Sequence, residues 1–129
     1  MRKFDCRNIN TDALILMVRG IAAQYPTVKY TKCGPNNTCN YAPDRVNVHG
    51  CIMGFALRML GIAPPAEGDS IAFALRKAFN MERDSDDANV LWLRQAQYRQ
   101  DTGSSWAEAV ASADEHAAFA KEQRKEVGM

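Results

Sequence analysis

The segment Gly50–Leu60 constrains the fold most, because Arg58 is its only charged residue. A helix this apolar buries most of its surface against neighbouring elements. A second apolar helix is predicted over Thr11–Gln24, where cap residues precede the apolar run and Pro26 stops it. We therefore expect these two helices to form a buried pair at the centre of the fold.

Three further helices are predicted in the second half of the chain, each from a polar cap followed by periodic apolar residues. They begin at Asp69 or Ser70, at Asp84–Asp87, and at Ser105, where Glu108 completes a capping box. The last helix leaves Phe119 outside its apolar stripe, and we expect residues 119–129 to be a solvated helical end. The stripe consists of Trp106, Ala109, Val110, Ala113, Ala117 and Ala120.

A β-hairpin is predicted over about residues 27–41. Val28–Lys32 and Thr38–Tyr41 alternate and are rich in β-forming residues, and Gly34–Asn37 between them is typical of a turn. The predicted fold is α+β and predominantly helical, with about five helices packed around the buried pair and one small hairpin. A length of 129 residues fits a single domain, 1–129.

Charge and hydropathy exclude several classes of function. The chain has 16 Lys and Arg against 15 Asp and Glu, and this balance argues against a nucleic-acid-binding protein. No apolar run approaches the roughly 20 residues that span a bilayer. Polar residues interrupt the first twelve positions, which is unlike a signal peptide. We expect a cytoplasmic protein without a membrane partner.

Four potential zinc ligands lie close together in the sequence: Cys33, Cys39, His49 and Cys51. Thiolates and imidazoles are the ligands that zinc prefers in structural sites. In the usual pattern there are two ligand pairs, and two to four residues separate the two members of each pair. Here five residues separate Cys33 from Cys39, and one residue separates His49 from Cys51. We therefore favour no metal and no cofactor, and keep a small zinc-stabilised domain that binds protein or nucleic acid as the alternative.

Cys51 suggests a weaker alternative, a thiol enzyme. A cysteine in the first turn of a helix has its thiolate stabilised by the helix dipole, and His49 is close enough in sequence to act as a base. Apolar neighbours on both sides favour a buried, inert thiol instead. We expect no catalytic residue.

Exposed aromatic residues beside cations are typical of protein interfaces. Tyr30 and Tyr41 in the predicted hairpin, with Lys32 between them, fit this composition, and Phe119 offers a second surface. We predict that one of these surfaces, preferably the hairpin, binds a host protein or a second copy of the chain. The alternative is that both tyrosines pack inward on the helices.

Two motifs carry a resemblance. One is C-x-Y followed by G-C-I-x-G-x-A-L, within Cys39–Leu57, and the other is Q-D-x-G-x-x-W-x-x-A-V-x-x-A-D, over Gln100–Asp114. Together they resemble small uncharacterised proteins encoded by actinobacterial phages. The resemblance implies a non-enzymatic accessory protein of an infected bacterium, which binds a host protein in host takeover or counter-defence. It implies no metal role for the shared cysteines.

Overall fold

The computed structural model describes residues 1–31, 41–66, 68–82 and 86–126, with side chains as far as Ala120. Over these residues the fold is predominantly helical, and none of them forms a β-strand. None of the described helices combines the length and the apolar character that a bilayer crossing requires. The five helices are α1 (Thr11–Gln24), α2 (Ile52–Met59), α3 (Ile71–Ala78), α4 (Ala88–Asp101) and α5 (Trp106–Glu126).

Polar side chains cap the starts of the helices, as the sequence predicts. Asn10 accepts a hydrogen bond from the backbone N–H of Ala13, and Ser70 and Asp87 cap α3 and α4 in the same way. The predicted capping box at α5 is confirmed. Ser105 Oγ accepts from the Glu108 N–H at 3.3 Å, and Glu108 Oε1 accepts from the Ser105 N–H at 3.0 Å. This second bond is the main reason that the pKa of Glu108 lies below its ordinary value.

The core lies where α1 and α2 pack against each other and against α4. Leu14 and Val18 of α1 and Leu57 of α2 are fully buried, so the predicted central helix pair is confirmed. α4 and α5 form an antiparallel hairpin beside this pair, and α3 packs against α4. Because α4 contacts all four other helices, its side chains reach most of the functional candidates.

The predicted β-hairpin is not supported. Residues 32–40, which include Lys32, Cys33 and Cys39, lie outside the described part of the chain. Residues 27–31 form no strand and make only an isolated bridge, between Lys29 and Ser105. The reason is that other groups satisfy this extended backbone: the N-terminal amides of α5 bond to it, and so does the side chain of Asn47.

The predicted stripe of α5 is buried as far as Ala113, about two turns before its predicted end at Ala120, which is partly buried. Trp106, Ala109 and Ala113 are buried as expected and Val110 partly so, but Ala117 is exposed. The reason is that α5 continues past the start of α4, which offers no further surface to pack against. Phe119 is 61% exposed, as predicted.

Candidate functional site

The two residues of the proposed thiol centre are used structurally. Cys51 is fully buried as the N-cap of α2, and its Sγ accepts the Gly54 N–H at 3.4 Å. The His49 ring packs against the rings of Tyr25 and Phe55, with centroid distances of 5.0 and 5.1 Å, and those two rings also contact each other at 5.8 Å. The Cys51 thiol therefore has no solvent access in this arrangement.

His49 belongs to an aromatic cluster through which the loop before α2 packs against the helices. Its other members are Tyr25, Phe55 and Trp106, and the Trp106 ring meets both Tyr25 and Phe55 edge-on. The cluster joins the ends of α1, α2 and α5, which are far apart in the sequence. Its rings therefore act as packing groups.

The structure describes only two of the four potential zinc ligands, His49 and Cys51. Cys33 and Cys39 lie outside the described residues, so the four-ligand proposal stays a prediction. In the part of the chain that is described, no three His, Cys, Asp or Glu side chains are grouped so as to hold a metal ion. Cys6 is exposed and free, and Cys51 is buried and free.

The two tyrosines of the predicted binding surface are buried, so the prediction that they are partly exposed is wrong. Tyr41 is 1% and Tyr30 is 4% exposed, which is the inward-packed alternative. The Tyr41 hydroxyl donates to the backbone carbonyl of Asp69 at 2.6 Å and accepts from Gln97 Nε2 at 3.3 Å. A phenol with both polar functions satisfied is a stable core group.

Two buried glutamines of α4, which the sequence analysis missed, hold the starts of two other helices. Gln97 Oε1 accepts the N–H of Ile71 at 2.7 Å, and Gln100 Oε1 accepts the N–H of Ile52 at 2.6 Å. Each bond satisfies an N-terminal amide that has no partner within its own helix. The signal was present in the sequence, because Leu93, Ala96, Gln97 and Gln100 occupy one helical face.

The backbone at Tyr41 completes this region. Gly54 packs directly against it, and a Cβ at Gly54 would overlap the Tyr41 carbonyl. Arg58 donates to the carbonyl oxygens of Tyr41 at 2.7 Å and His49 at 2.5 Å. We call these groups the glutamine junction: Tyr41, Cys51, Gly54, Arg58, Gln97 and Gln100.

A second region, at the surface beside α1, has a different character. A groove of about 370 Å³ lies between α1, α4 and α5. Its walls are mainly apolar, and Leu16 on its α1 side is 69% exposed. We call it the α1–α4–α5 groove, and its lining residues are Asp12, Ile15, Leu16, Arg19, Ala88, Asn89, Trp92 and Ala117.

Polar contacts across this groove fix its walls relative to one another. Arg19 of α1 donates to both carboxylate oxygens of Asp114 of α5, at 2.8 and 2.6 Å. Trp92 Nε1 of α4 donates to the same carboxylate at 2.9 Å, and the Arg19 guanidinium lies 4.9 Å from the Trp92 ring centroid. The Arg19 contact is the main reason that the pKa of Asp114 is lowered, and the Trp92 bond adds to it.

At its other end the groove is closed by Asn89 of α4. Its Nδ2 donates to Thr11 Oγ1 at 2.9 Å and to Asp12 Oδ1 at 2.8 Å. The groove is thus built from three helices whose contacts are made at both ends.

Comparison with known proteins finds no family model, no curated protein and no solved structure that matches this chain.

Proposed function

We propose that the chain is a non-enzymatic protein-binding module and that the α1–α4–α5 groove is its contact surface. The observation that carries the proposal is the exposure of Leu16, a large aliphatic side chain, at the edge of a preformed apolar groove. Large apolar side chains that line a groove between helices are typical of protein-recognition sites.

The use of the other chemistry-bearing groups supports the same function. Cys51, Gln97 and Gln100 each accept a backbone N–H at the start of a helix, and Arg58 binds two backbone carbonyls. These groups hold the fold, and they are directed at backbone atoms. A partner would therefore be recognised by the shape and the charge of the protein surface.

The resemblance to small actinobacterial phage proteins supplies the proposed setting. In that setting the protein acts in the cytoplasm of an infected bacterium, and its partner is a host protein. Phe119 remains a second candidate contact, because it is exposed on α5 as the sequence predicts.

Affinity capture from a bacterial host lysate tests this function. Wild type is compared with Leu16→Glu, which places a charge in the groove, and with Phe119→Ser. The matched control is Phe73→Ser, since Phe73 is 54% exposed on α3, a helix that does not line the groove. Captured proteins are identified by mass spectrometry.

We expect one captured protein to be lost with Leu16→Glu and kept with Phe73→Ser. If the loss occurs with Phe119→Ser alone, the contact surface lies on the outer side of α5 and the groove assignment is wrong. Identical capture by all four proteins, or none by wild type, would contradict the function itself.

A further inference from the structure

We propose that residues 1–8, which precede α1, form a strap that opens as a unit while the five described helices stay folded, and that opening uncovers a cavity beside α3. We call residues 1–8 the strap. The strap and this cavity share no described lining residue with the α1–α4–α5 groove, so the inference does not rest on the proposed function. It is carried by the hydrogen bonds and the burial of the strap.

The strap is joined to the rest of the described chain by two backbone hydrogen bonds. The Arg2 N–H donates to the Gly61 carbonyl at 3.0 Å, and the Ala63 N–H donates to the Arg2 carbonyl at 2.8 Å. Together they form an isolated parallel bridge between Arg2 and Ile62. Because extended segments that pair without further strands are only marginally stable in water, this bridge alone holds the strap weakly.

The side chains of the strap add little burial. None of residues 1–8 is buried, and Phe4 packs against the core while remaining partly exposed. The first buried residue along the chain is Ile9, which directly follows the strap. The boundary between the strap and the core of the fold therefore lies at Ile9.

The strap also has hydrogen bonds of its own. Asp5 Oδ1 accepts the Arg7 N–H at 2.9 Å, and Asp5 Oδ2 lies 3.0 Å from the Arg7 guanidinium. The Asn8 N–H donates to the Asp5 carbonyl and Asn8 Nδ2 to the Lys3 carbonyl, both at 3.1 Å. These bonds join residues 3–8 to one another and not to a helix, so they are kept when the strap opens and the strap moves as one piece.

The backbone that receives the strap is fixed by α2. The Ile62 N–H donates to the Leu57 carbonyl at 2.9 Å, and the Gly61 N–H donates to the Arg58 carbonyl at 3.0 Å. With Gly61 at a φ of 73°, these two bonds are those of a Schellman motif, which satisfies carbonyls at the end of a helix. Residues 61 and 62 therefore keep their conformation when the strap leaves.

A cavity of about 420 Å³ lies between the strap and α3. Phe4 lines it on the strap side, Pro64 and Pro65 line it beyond the bridge, and Ala74 and Ala78 line it on α3. Because Phe4 belongs to the strap, the cavity loses this wall when the strap opens. The space that the Phe4 ring leaves then joins the cavity, and Ala74 becomes accessible to solvent.

The stability of the strap differs from that of the helices for these reasons. Two backbone hydrogen bonds and one partly buried ring hold it closed, whereas the helices are held by a core of fully buried side chains. Segments with so few buried contacts open locally, at a much lower cost in free energy than global unfolding.

Amide hydrogen exchange of the 129-residue chain tests the opening at two adjacent residues. The Ala63 N–H is bonded to the strap, whereas the Ile62 N–H is bonded to Leu57 of α2. After correction for intrinsic exchange rates, we expect the protection of Ala63 to be roughly a hundredfold lower than that of Ile62. This comparison is made on the wild type and needs no substitution.

Two variants test whether the Phe4 ring holds the strap closed. Phe4→Ala should lower the protection of Ala63 about tenfold, because it removes the partly buried ring, and should leave Ile62 and the circular dichroism spectrum unchanged. Lys3→Ala is the matched control, since Lys3 lies on the same strap with an exposed side chain. We expect Lys3→Ala to change the protection of neither amide.

The uncovering of the cavity is tested with Ala74→Cys, because Ala74 is 5% exposed. The variant is treated with a thiol reagent, and the modified cysteines are located by mass spectrometry of peptides, which separates this site from the exposed Cys6. We expect the cysteine at position 74 to react through the same opening that exposes Ala63, and to react about tenfold faster when Phe4→Ala is added.

Equal protection of Ala63 and Ile62 in the wild type would mean that the strap opens only when the helices unfold, and would overturn the inference. The same conclusion follows if Phe4→Ala lowers the protection of both amides by one factor, or if Lys3→Ala acts as strongly as Phe4→Ala. A cysteine at position 74 whose labelling rate does not respond to Phe4→Ala would show that the strap does not cover the cavity.

Discussion

The glutamine junction and the α1–α4–α5 groove share helix α4, yet they use polar groups in opposite ways. In the junction, Gln97 and Gln100 are buried and each accepts the backbone N–H of a residue on another helix. In the groove, Asp12 and Leu16 remain at the surface, and Leu16 is 69% exposed. The difference separates the region that specifies the fold from the region that is free to recognise a partner.

The largest effect is expected at the junction, from Gly54→Ala. The added Cβ would overlap the Tyr41 carbonyl, so α2 and the loop at Tyr41 must move apart. We expect unfolding free energy to fall by about 3 kcal/mol or more, because the obstacle is backbone and cannot rotate away. Urea unfolding followed by tryptophan fluorescence measures the change.

The matched control for Gly54→Ala is Gly20→Ala in α1. A Cβ at Gly20 meets no atom within 4 Å, so only helix propensity changes. We expect Gly20→Ala to raise the unfolding free energy by about 0.5–1 kcal/mol. If both variants behave alike, the close contact between α2 and Tyr41 is not present in solution.

The second expected effect concerns the helix starts that the glutamines hold. Gln100→Leu removes the acceptor of the Ile52 N–H and leaves that buried amide unpaired. We expect a loss of about 2 kcal/mol of unfolding free energy, within the range for an unsatisfied buried group. Amide hydrogen exchange at Ile52, measured together with unfolding, should show reduced protection.

Gln95→Leu is the control for Gln100→Leu, because it lies on the same helix. Gln95 Nε2 donates to Ser112 Oγ of α5, and both groups are partly exposed, so water replaces the lost bond. We expect Gln95→Leu to lower the unfolding free energy by less than about 0.5 kcal/mol. An equal loss for both glutamines would mean that the Ile52 amide finds water when its acceptor is removed.

Much of the fold was predictable from local patterns. The bounds of α1 and the capping box at Ser105 match the sequence predictions, because caps and apolar periodicity act within a few residues. The hairpin prediction failed for the opposite reason. Strand-like residues 28–31 find their hydrogen-bond partners in α5 and Asn47, which lie 16 to about 80 positions away, and no local pattern encodes that choice.

The candidate site was predicted less well. Phe119 is exposed as expected, but the groove depends on three helices meeting, so its lining residues share no sequence motif. Tyr30 and Tyr41 had the composition of an interface, and composition alone did not distinguish an exposed ring from a buried one. Leu16 belongs to the apolar run of α1, and such a run does not show which of its residues stays exposed.

A smaller effect is expected from the ion pair that joins the groove walls. Asp114→Asn removes the carboxylate that binds Arg19 and Trp92. Both members of the ion pair are more than 40% exposed, so solvent screening limits its contribution to about 1 kcal/mol or less. Urea unfolding at pH 7 measures the loss.

The lowered pKa of Asp114 gives this contribution a pH dependence with a definite sign. Because the folded pKa lies below the unfolded one, the stabilisation is fully present above the unfolded value of about 3.9 and disappears as the pH falls through the folded pKa. The difference in unfolding free energy between wild type and Asp114→Asn should therefore shrink on acidification below about pH 4. A difference that stays constant or grows would contradict the ionised pair.

The smallest effect on stability is expected at Leu16, and it separates the two regions most directly. Leu14 and Leu16 lie two residues apart on α1, but Leu14 is fully buried and Leu16 is 69% exposed. Leu14→Ala should cost about 2–5 kcal/mol through a core cavity, whereas Leu16→Ala should change unfolding free energy by less than about 0.5 kcal/mol. The capture experiment is then repeated with Leu16→Ala. Loss of the partner at unchanged stability means that this leucine serves recognition, whereas a stability loss like that of Leu14→Ala means that Leu16 is covered in solution and the groove is part of the core.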